Sequence, residues 1–462
     1  MASARILPLI IATALLMENI DSAVLSTSLP QIAADLGSDP IHLKLVLTTY
    51  LLALAIFIPA SGWAADRFGA RRVFRLAIVV FALGSIACGL SNNLLELVAA
   101  RALQGIGGSM MTPVGRLIVL RGVPRAGLVG ALAWLTVPAL MGPVIGPLLG
   151  GYITTFWDWR WIFWINIPIA VLGVVLASLY VPDLREPEPR NFDGFGFLLL
   201  GPGLAGFLTG ATLLGLNLAS TPVVLALLIG GAGLTLGYIR HALRVAEPLV
   251  DLRLLALPTF RTTITAGTLF RIGVGASPFL MPLMLQLGFG MTPFQSGALT
   301  FVSGLGAMVM KFAAQPILRR FGFRGVLTVN AVIAAVFIAL PALFTQATPW
   351  QVMMLVLFVG GLSRSLQFTS INAIAYADVT SERLSSATSF SAVMQQLTGT
   401  IGITLAAMML EATGALRGVA ATDIGNFPLV FCLIAMMTLV STFAFRRLSS
   451  RAGETLLARE VD

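Results

Sequence analysis

Charge is what this 462-residue sequence has least of: Asp, Glu, Lys and Arg together make up 11% of it. A soluble chain of that length needs far more charge to cover its surface. Cysteine is almost missing as well. Cys88 and Cys432 both sit inside apolar runs, which leaves no disulfide framework and no thiolate metal site. The two histidines, His42 and His241, fall far apart at segment ends. There is no compact set of nucleophile, base and metal ligands, so a redox, zinc or hydrolytic enzyme has little to work with. No cofactor and no metal is expected. A nucleotide-binding motif is absent too, so any work the protein does must draw on an ion gradient or a solute gradient.

What the sequence has instead is apolar length. Hydrophobic residues make up 57% of it, in runs of about 20 residues that recur from end to end, each long enough to span a bilayer. The pattern predicts an all-α integral membrane protein. Fourteen spans are expected, at 6–28, 44–64, 73–91, 94–116, 127–152, 162–181, 195–216, 221–240, 262–286, 295–317, 326–346, 350–372, 386–411 and 428–446. The net charge of +9 is unevenly placed between them. Alternate loops hold Arg67, Arg71, Arg72, Arg75, Arg121, Arg125, Arg185, Arg190, Arg240, Arg244, Arg253, Arg261, Arg319, Arg320, Arg324 and Arg383. The opposite loops hold only Lys44, Arg160 and Arg417. That is the positive-inside bias, with both termini cytoplasmic in a bacterial inner membrane. The basic charge is therefore topology, and no nucleic-acid partner is expected. Trp157, Trp159, Trp161 and Trp164 crowd one predicted outer interface, as an aromatic belt does.

An internal repeat is visible. Arg67, Phe68, Gly69, Arg71 and Val73 recur as Arg320, Phe321, Gly322, Arg324 and Val326, in turns that occupy corresponding places in two half-chains. The division is then a six-helix half at 1–190, two inserted helices at 191–245 and a second six-helix half at 246–462. Duplicated halves are typical of secondary transporters, whose site lies near the bilayer midplane.

Four motifs stand in order. "NIDSAVLSTSLP" occupies the first span. "GWAADRFGARR" ends the second and carries Gly62, Asp66, Arg67, Gly69, Arg71 and Arg72, a set suited to a cytoplasmic gate. "RALQGIGG" puts Arg101 and Gln104 in the fourth. "GPVIGPLLGG" sets Gly142, Gly146 and Gly150 on one face of the fifth, with Pro143, Pro147 and Gly151 beside them. Such a face packs closely and bends. Together with "WRWIFWINIP" and "EPLVDLRLL" these resemble the major facilitator superfamily, specifically its fourteen-helix drug:proton antiporter family. The resemblance covers nearly the whole chain. It implies the major facilitator fold and proton-driven export of small lipophilic molecules by alternating access, with protons and a small molecule as partners in the bilayer and a monomer as the working unit. Two positions depart from the pattern: Ser26 stands where the first-helix motif usually has Asn, and Ala133 where the fifth-helix motif has glycine.

The first span meets Glu18, Asn19 and Asp21 near its middle. One charge at a bilayer centre costs roughly 2.5–3.5 kcal/mol on insertion scales, so idle carboxylates are not expected there. Counted from an inner end near Ile6, Asp21 lies roughly 22 Å deep; Arg101, counted from an outer end near Leu94, lies roughly 10 Å deep. In a core of about 30 Å these depths nearly coincide. Two readings stay open: proton coupling at Glu18 or Asp21 with Arg101 beside them, or a static Asp21–Arg101 bridge. Glu18 also suits reading of substrate charge. Asn19, Gln104, Arg271 and Arg364 complete the expected substrate cavity. The two arginines suit a carboxylate or phosphate, or else pair with backbone carbonyls. They motivate a second reading, export of anionic metabolites or metal chelates; a uniporter on the same fold is a third.

Overall fold

Inside a bilayer every backbone N–H and C=O must be satisfied within its own segment, so apolar runs of this length become helices. The computed structural model describes residues 2–123, 128–182, 184–185, 191–214, 216, 218–380, 383–449 and 452–457. Arg125 and Arg190 of the charge pattern lie outside them, as does the side chain of Ala133. The helices run α1 (Ala2–Val24), α2 (Leu29–Asp35), α3 (Lys44–Phe68), α4 (Ala70–Leu90), α5 (Leu94–Gly122), α6 (Leu128–Phe156), the short α7 (Trp161–Trp164), α8 (Asn166–Tyr180), α9 (Gly194–Leu213) and α10 (Thr221–Ala242). They continue as α11 (Pro258–Leu283), α12 (Pro293–Ala339), α13 (Trp350–Ile374), α14 (Leu384–Arg417), α15 (Phe427–Phe445) and the short α16 (Glu454–Leu457).

Eleven helical segments of the described residues are long and apolar enough to cross a membrane. Helix α5 is not among them, because Arg101, Gln104 and Ser109 interrupt its apolar run. The 47-residue α12 contains one non-helical residue, Gly322, with φ 67° and ψ 163°. Divided there, it supplies the two spans expected at 295–317 and 326–346, and the long helices match the fourteen expected. Gly69, the repeat counterpart of Gly322, also has positive φ, at 91°. A backbone in that region favours glycine, which is why both copies of the repeated turn keep one.

The chain forms two units. One is Met1–Leu249 with Thr292–Gly297; the other is Val250–Met291 with Ala298–Asp462. In the first, α1 packs on α6, and α5 packs on both α3 and α4. Glycines set the approach of α5: Gly105 faces Tyr50 and Ala53, and Gly107 faces Ala77 and Phe81. The paired helices α9 and α10 join this unit through α3, where Phe57 meets Phe197 and Trp63 stacks on Phe192 at 4.5 Å. In the second unit α11 packs on α14 and α15. Gly402 seats against Ile272 and Ala276 there.

The tryptophan cluster divides. Trp157 and Trp161 are exposed and meet edge to face at 5.3 Å. Trp159 is 2% exposed, and Trp164 lies over Gly89. Only two of the four can thus serve as a belt. The other two face inward because Asp35 and the small Gly89 give them somewhere to go.

Candidate functional site

Helix α1 brings Asp21 into the middle of the first unit, and α5 brings Arg101 to it. Arg101 Nη1 donates to Asp21 Oδ2 at 2.6 Å, with both side chains at most 1% exposed. Asp21 Oδ1 accepts from Gln104 Nε2 and from Asn166 Nδ2, each at 2.8 Å. Both amides also donate to Ser85 Oγ, at 3.2 and 2.9 Å, and that hydroxyl donates to the Phe163 carbonyl. Arg101 Nη1 reaches Gln104 Oε1 as well, and its guanidinium lies 4.1 Å from the centre of the Tyr50 ring. Every buried charge in this network has a partner and fixed donors, the condition under which an ion pair is tolerated away from water.

Glu18 sits one turn away on α1 and is half-buried. Its hydrogen bond comes from a neutral group: Thr112 Oγ1 donates to Oε2 at 2.9 Å. Among the described residues no cation pairs with it. The first span therefore carries two carboxylates in unlike settings.

The remaining expected residues fall as follows. Gln104 is fully buried inside the Asp21 network, so its amide supports that network. Asn19 Nδ2 donates back to the Leu15 carbonyl at 2.7 Å, and its backbone and Cβ face Gly142. Along α6 a Cβ on Gly146 would lie 2.5 Å from Ala23 Cβ, and one on Gly150 would strike the Val24 carbonyl. Thr27 Oγ1 donates to the Pro147 carbonyl at 3.2 Å, while Pro143 is exposed. Gly151 lies beside that face and meets Pro293 and Phe294. The glycine-rich face of α6 is thus the bearing surface for α1, the helix that holds Glu18 and Asp21.

At the α3–α4 turn, Asp66 pairs with Arg121 of α5 at 2.9 Å. The arginines of its own motif are elsewhere. Gly69 reverses the chain between them, so Arg71 aims at the Val181 carbonyl while Arg67 and Arg72 are exposed. Gly62 has nothing within 4 Å of where a Cβ would be, so it makes no close helix approach. In the second unit, Arg271 Nη2 donates to Asn372 Oδ1 at 2.8 Å, and Arg364 Nη2 to Ser303 Oγ at 3.3 Å. Side chains, not backbone carbonyls, receive them.

The sequence did not point to Ser85, Thr112, Asn166 or Asn372. Neutral polar residues in apolar helices carry little signal, and Asn166 lies 145 residues from the Asp21 it bonds. Asn372 had one hint: it follows Arg364 by eight residues on α13, two turns along roughly the same stripe.

Long apolar helices around a buried polar network, in a chain with a duplicated turn, define a membrane transporter of the major facilitator fold. The chain belongs to the Major Facilitator Superfamily, whose model matches residues 11–246 and 263–460. It is 39% identical over 410 residues to the "Putative multidrug resistance protein MdtD" of Salmonella paratyphi B, covering 88% of this chain and 86% of that one. Its identity to the protein of the same name from Serratia proteamaculans is 36% over 444 residues, covering 95% and 92%. Among solved structures the fold is similar to a D-xylose-proton symporter, with TM-score 0.69, 14% identity and coverage of 96% and 98%. It is likewise similar to a POT family transporter in complex with a thioalcohol-conjugated peptide, with TM-score 0.72, 14% identity and coverage of 98% and 96%. The chain is a transporter that acts on small molecules within a membrane, and not an enzyme.

Proposed function

We propose that the protein is a proton-coupled exporter of drugs or other small lipophilic compounds, working as a monomer in a bacterial inner membrane with both termini cytoplasmic. The asymmetry of charged loops supports that orientation, and the multidrug-resistance relatives support the cargo. Its halves, 1–190 and 246–462, move as bodies during alternating access, and the insertion 191–245 rides on α3.

One observation carries the coupling: Glu18 is a half-buried carboxyl beside Asp21 with a neutral hydroxyl as partner. Asp21 is committed to Arg101, Gln104 and Asn166 and serves as the fixed partner of that network. Glu18 has only a neutral partner, so it is the carboxyl free to carry a proton through the cycle. Proton and substrate then cross in opposite directions, which is antiport. The α6 glycine face lets α1 shift without unpacking, and the Asp66–Arg121 pair latches the cytoplasmic end. The test is transport into proteoliposomes under an imposed pH gradient. Glu18→Gln should lose gradient-driven transport and keep substrate counterflow. Full gradient-driven transport by that variant would refute the coupling role.

A further inference from the structure

Helices α11, α12 and α13 contain no Asp or Glu, yet carry cations, of which Arg271, Lys311 and Arg364 lie within the apolar runs. Their hydrogen-bond partners are all neutral. Asn372 Oδ1 accepts from Arg271, Ser303 Oγ from Arg364, and Thr369 Oγ1 from Lys311 Nζ at 2.9 Å. Arg271 is the extreme case. It is 4% exposed, and its Nε has no partner. The Phe368 ring, 5.9 Å from its guanidinium, is at the far limit of a cation–π contact. A guanidinium cannot shed its charge, and burying one against neutral groups alone is costly.

We propose that Arg271 and Asn372 form an oxyanion subsite in the second unit, which takes the carboxylate or phosphate group of a transported small molecule. The inference rests on the reading of the protein as an exporter and narrows its cargo to molecules that carry such a group on an apolar body. Arg271 offers the free Nε–H and its uncommitted amino hydrogens. Asn372 is exposed and uses its oxygen on Arg271, which leaves its Nδ2 to donate to the same anion. Arg364, Phe368 and Asn372 recur every four residues on α13, so an aromatic face and a second cation continue the stripe from the subsite. The planar fork of Arg271 matches an oxyanion edge on, which a lysine would not.

Binding is measured without flux, on the purified full-length protein in detergent, as thermal stabilisation by benzoate, benzyl phosphate and benzylammonium. The first two should stabilise the wild type saturably and the third should not. Arg271→Gln should weaken benzoate about tenfold or more, the size of a lost charge-assisted hydrogen bond. Arg271→Lys should recover part of the affinity. Asn372→Ala, at an exposed position, should weaken benzoate severalfold and carries the test should Arg271→Gln fail to fold. Equal benzoate affinity in wild type, Arg271→Gln and Asn372→Ala would overturn the proposal, as would benzylammonium binding lost in the same variants. Displacement of benzoate by micellar phosphatidylglycerol at low mole fraction would assign the site to a lipid headgroup and overturn its substrate role. No benzoate binding by the wild type, with pH-driven export intact, sinks this inference alone. Benzoate binding without pH-driven export sinks the exporter reading.

Discussion

Arg101 lies on the fourth helix of the first half and Arg271 on the first helix of the second, and they are buried almost equally, at 1% and 4% exposure. Their surroundings differ in kind. Arg101 meets a carboxylate at 2.6 Å, with two amides and a hydroxyl around the pair. Arg271 meets one amide oxygen and leaves a nitrogen without a partner. The first unit neutralises its charge internally, and the proposed coupling role falls to Glu18 nearby. The second unit leaves its charge open, and that opening is what the proposed anion would close. A duplicated scaffold has thus been used in two ways: a closed polar network in one copy, an open cation in the other.

The largest effect expected of this contrast is on stability. Arg101→Met strands the Asp21 carboxylate and should cost about 3–5 kcal/mol, the usual penalty for breaking a buried pair from one side. The double change Asp21→Leu with Arg101→Met should restore much of that, because no charge is left unpaired. Thermal unfolding in detergent reads both, and a single variant as stable as the double would show that the network is not closed as described. Arg271→Met should not destabilise in the same way, since it strands only an amide.

Next in size is Glu18→Gln. It should reduce pH-driven transport to background with thermal stability near that of the wild type, because only a threonine hydroxyl bonds to it. If Asp21→Asn abolishes gradient-driven transport while Glu18→Gln does not, the roles of the two carboxylates are exchanged. Gly146→Leu follows. Its side chain must enter the space of Ala23 and Val24, an overpacking of typically 1–3 kcal/mol. Exchange should stop, while Gly146→Ala should only slow it. Normal exchange by Gly146→Leu would mean that α1 and α6 do not need their close contact.

Much of the fold was legible because membrane helices announce themselves by length, and because Gly69 and Gly322 mark the same turn twice. The meeting of Asp21 and Arg101 was legible from depth alone, since charge in an apolar run is conspicuous and 1.5 Å per residue converts position to depth. What surrounds them was not. Ser85, Thr112 and Asn166 are ordinary in composition, and only tertiary packing shows which way they face. The partner of Asp66 was not legible for a related reason. Arg71 and Arg72 are close to it in sequence, but Gly69 lies between, and Arg121 arrives from α5 instead.

Two ion pairs at helix ends mark the weak end of the comparison. Asp66–Arg121 is partly exposed, so Asp66→Asn should change stability by no more than about 1 kcal/mol, in contrast to the buried pair, yet should impair transport if it latches the cycle. Transport at the wild-type rate would reduce it to surface decoration. Asp35 is smaller still. It accepts from Trp159 Nε1 at 3.0 Å and from Arg160 Nη1 at 2.8 Å, and these hydrogen bonds hold its carboxyl below the ordinary Asp range. A depressed folded-state value means that the stabilisation is present in full above the unfolded value, near pH 4, and is lost as pH falls through the folded value. Wild-type protein should therefore lose a little stability on acidification below about pH 4, and Asp35→Asn should lack that part of the slope. Because Asp35 is well exposed, solvent screens most of the pair, and the difference should be visible only as a small change in unfolding temperature across that pH range. A slope unchanged in Asp35→Asn would show that Trp159 is held inward by packing alone.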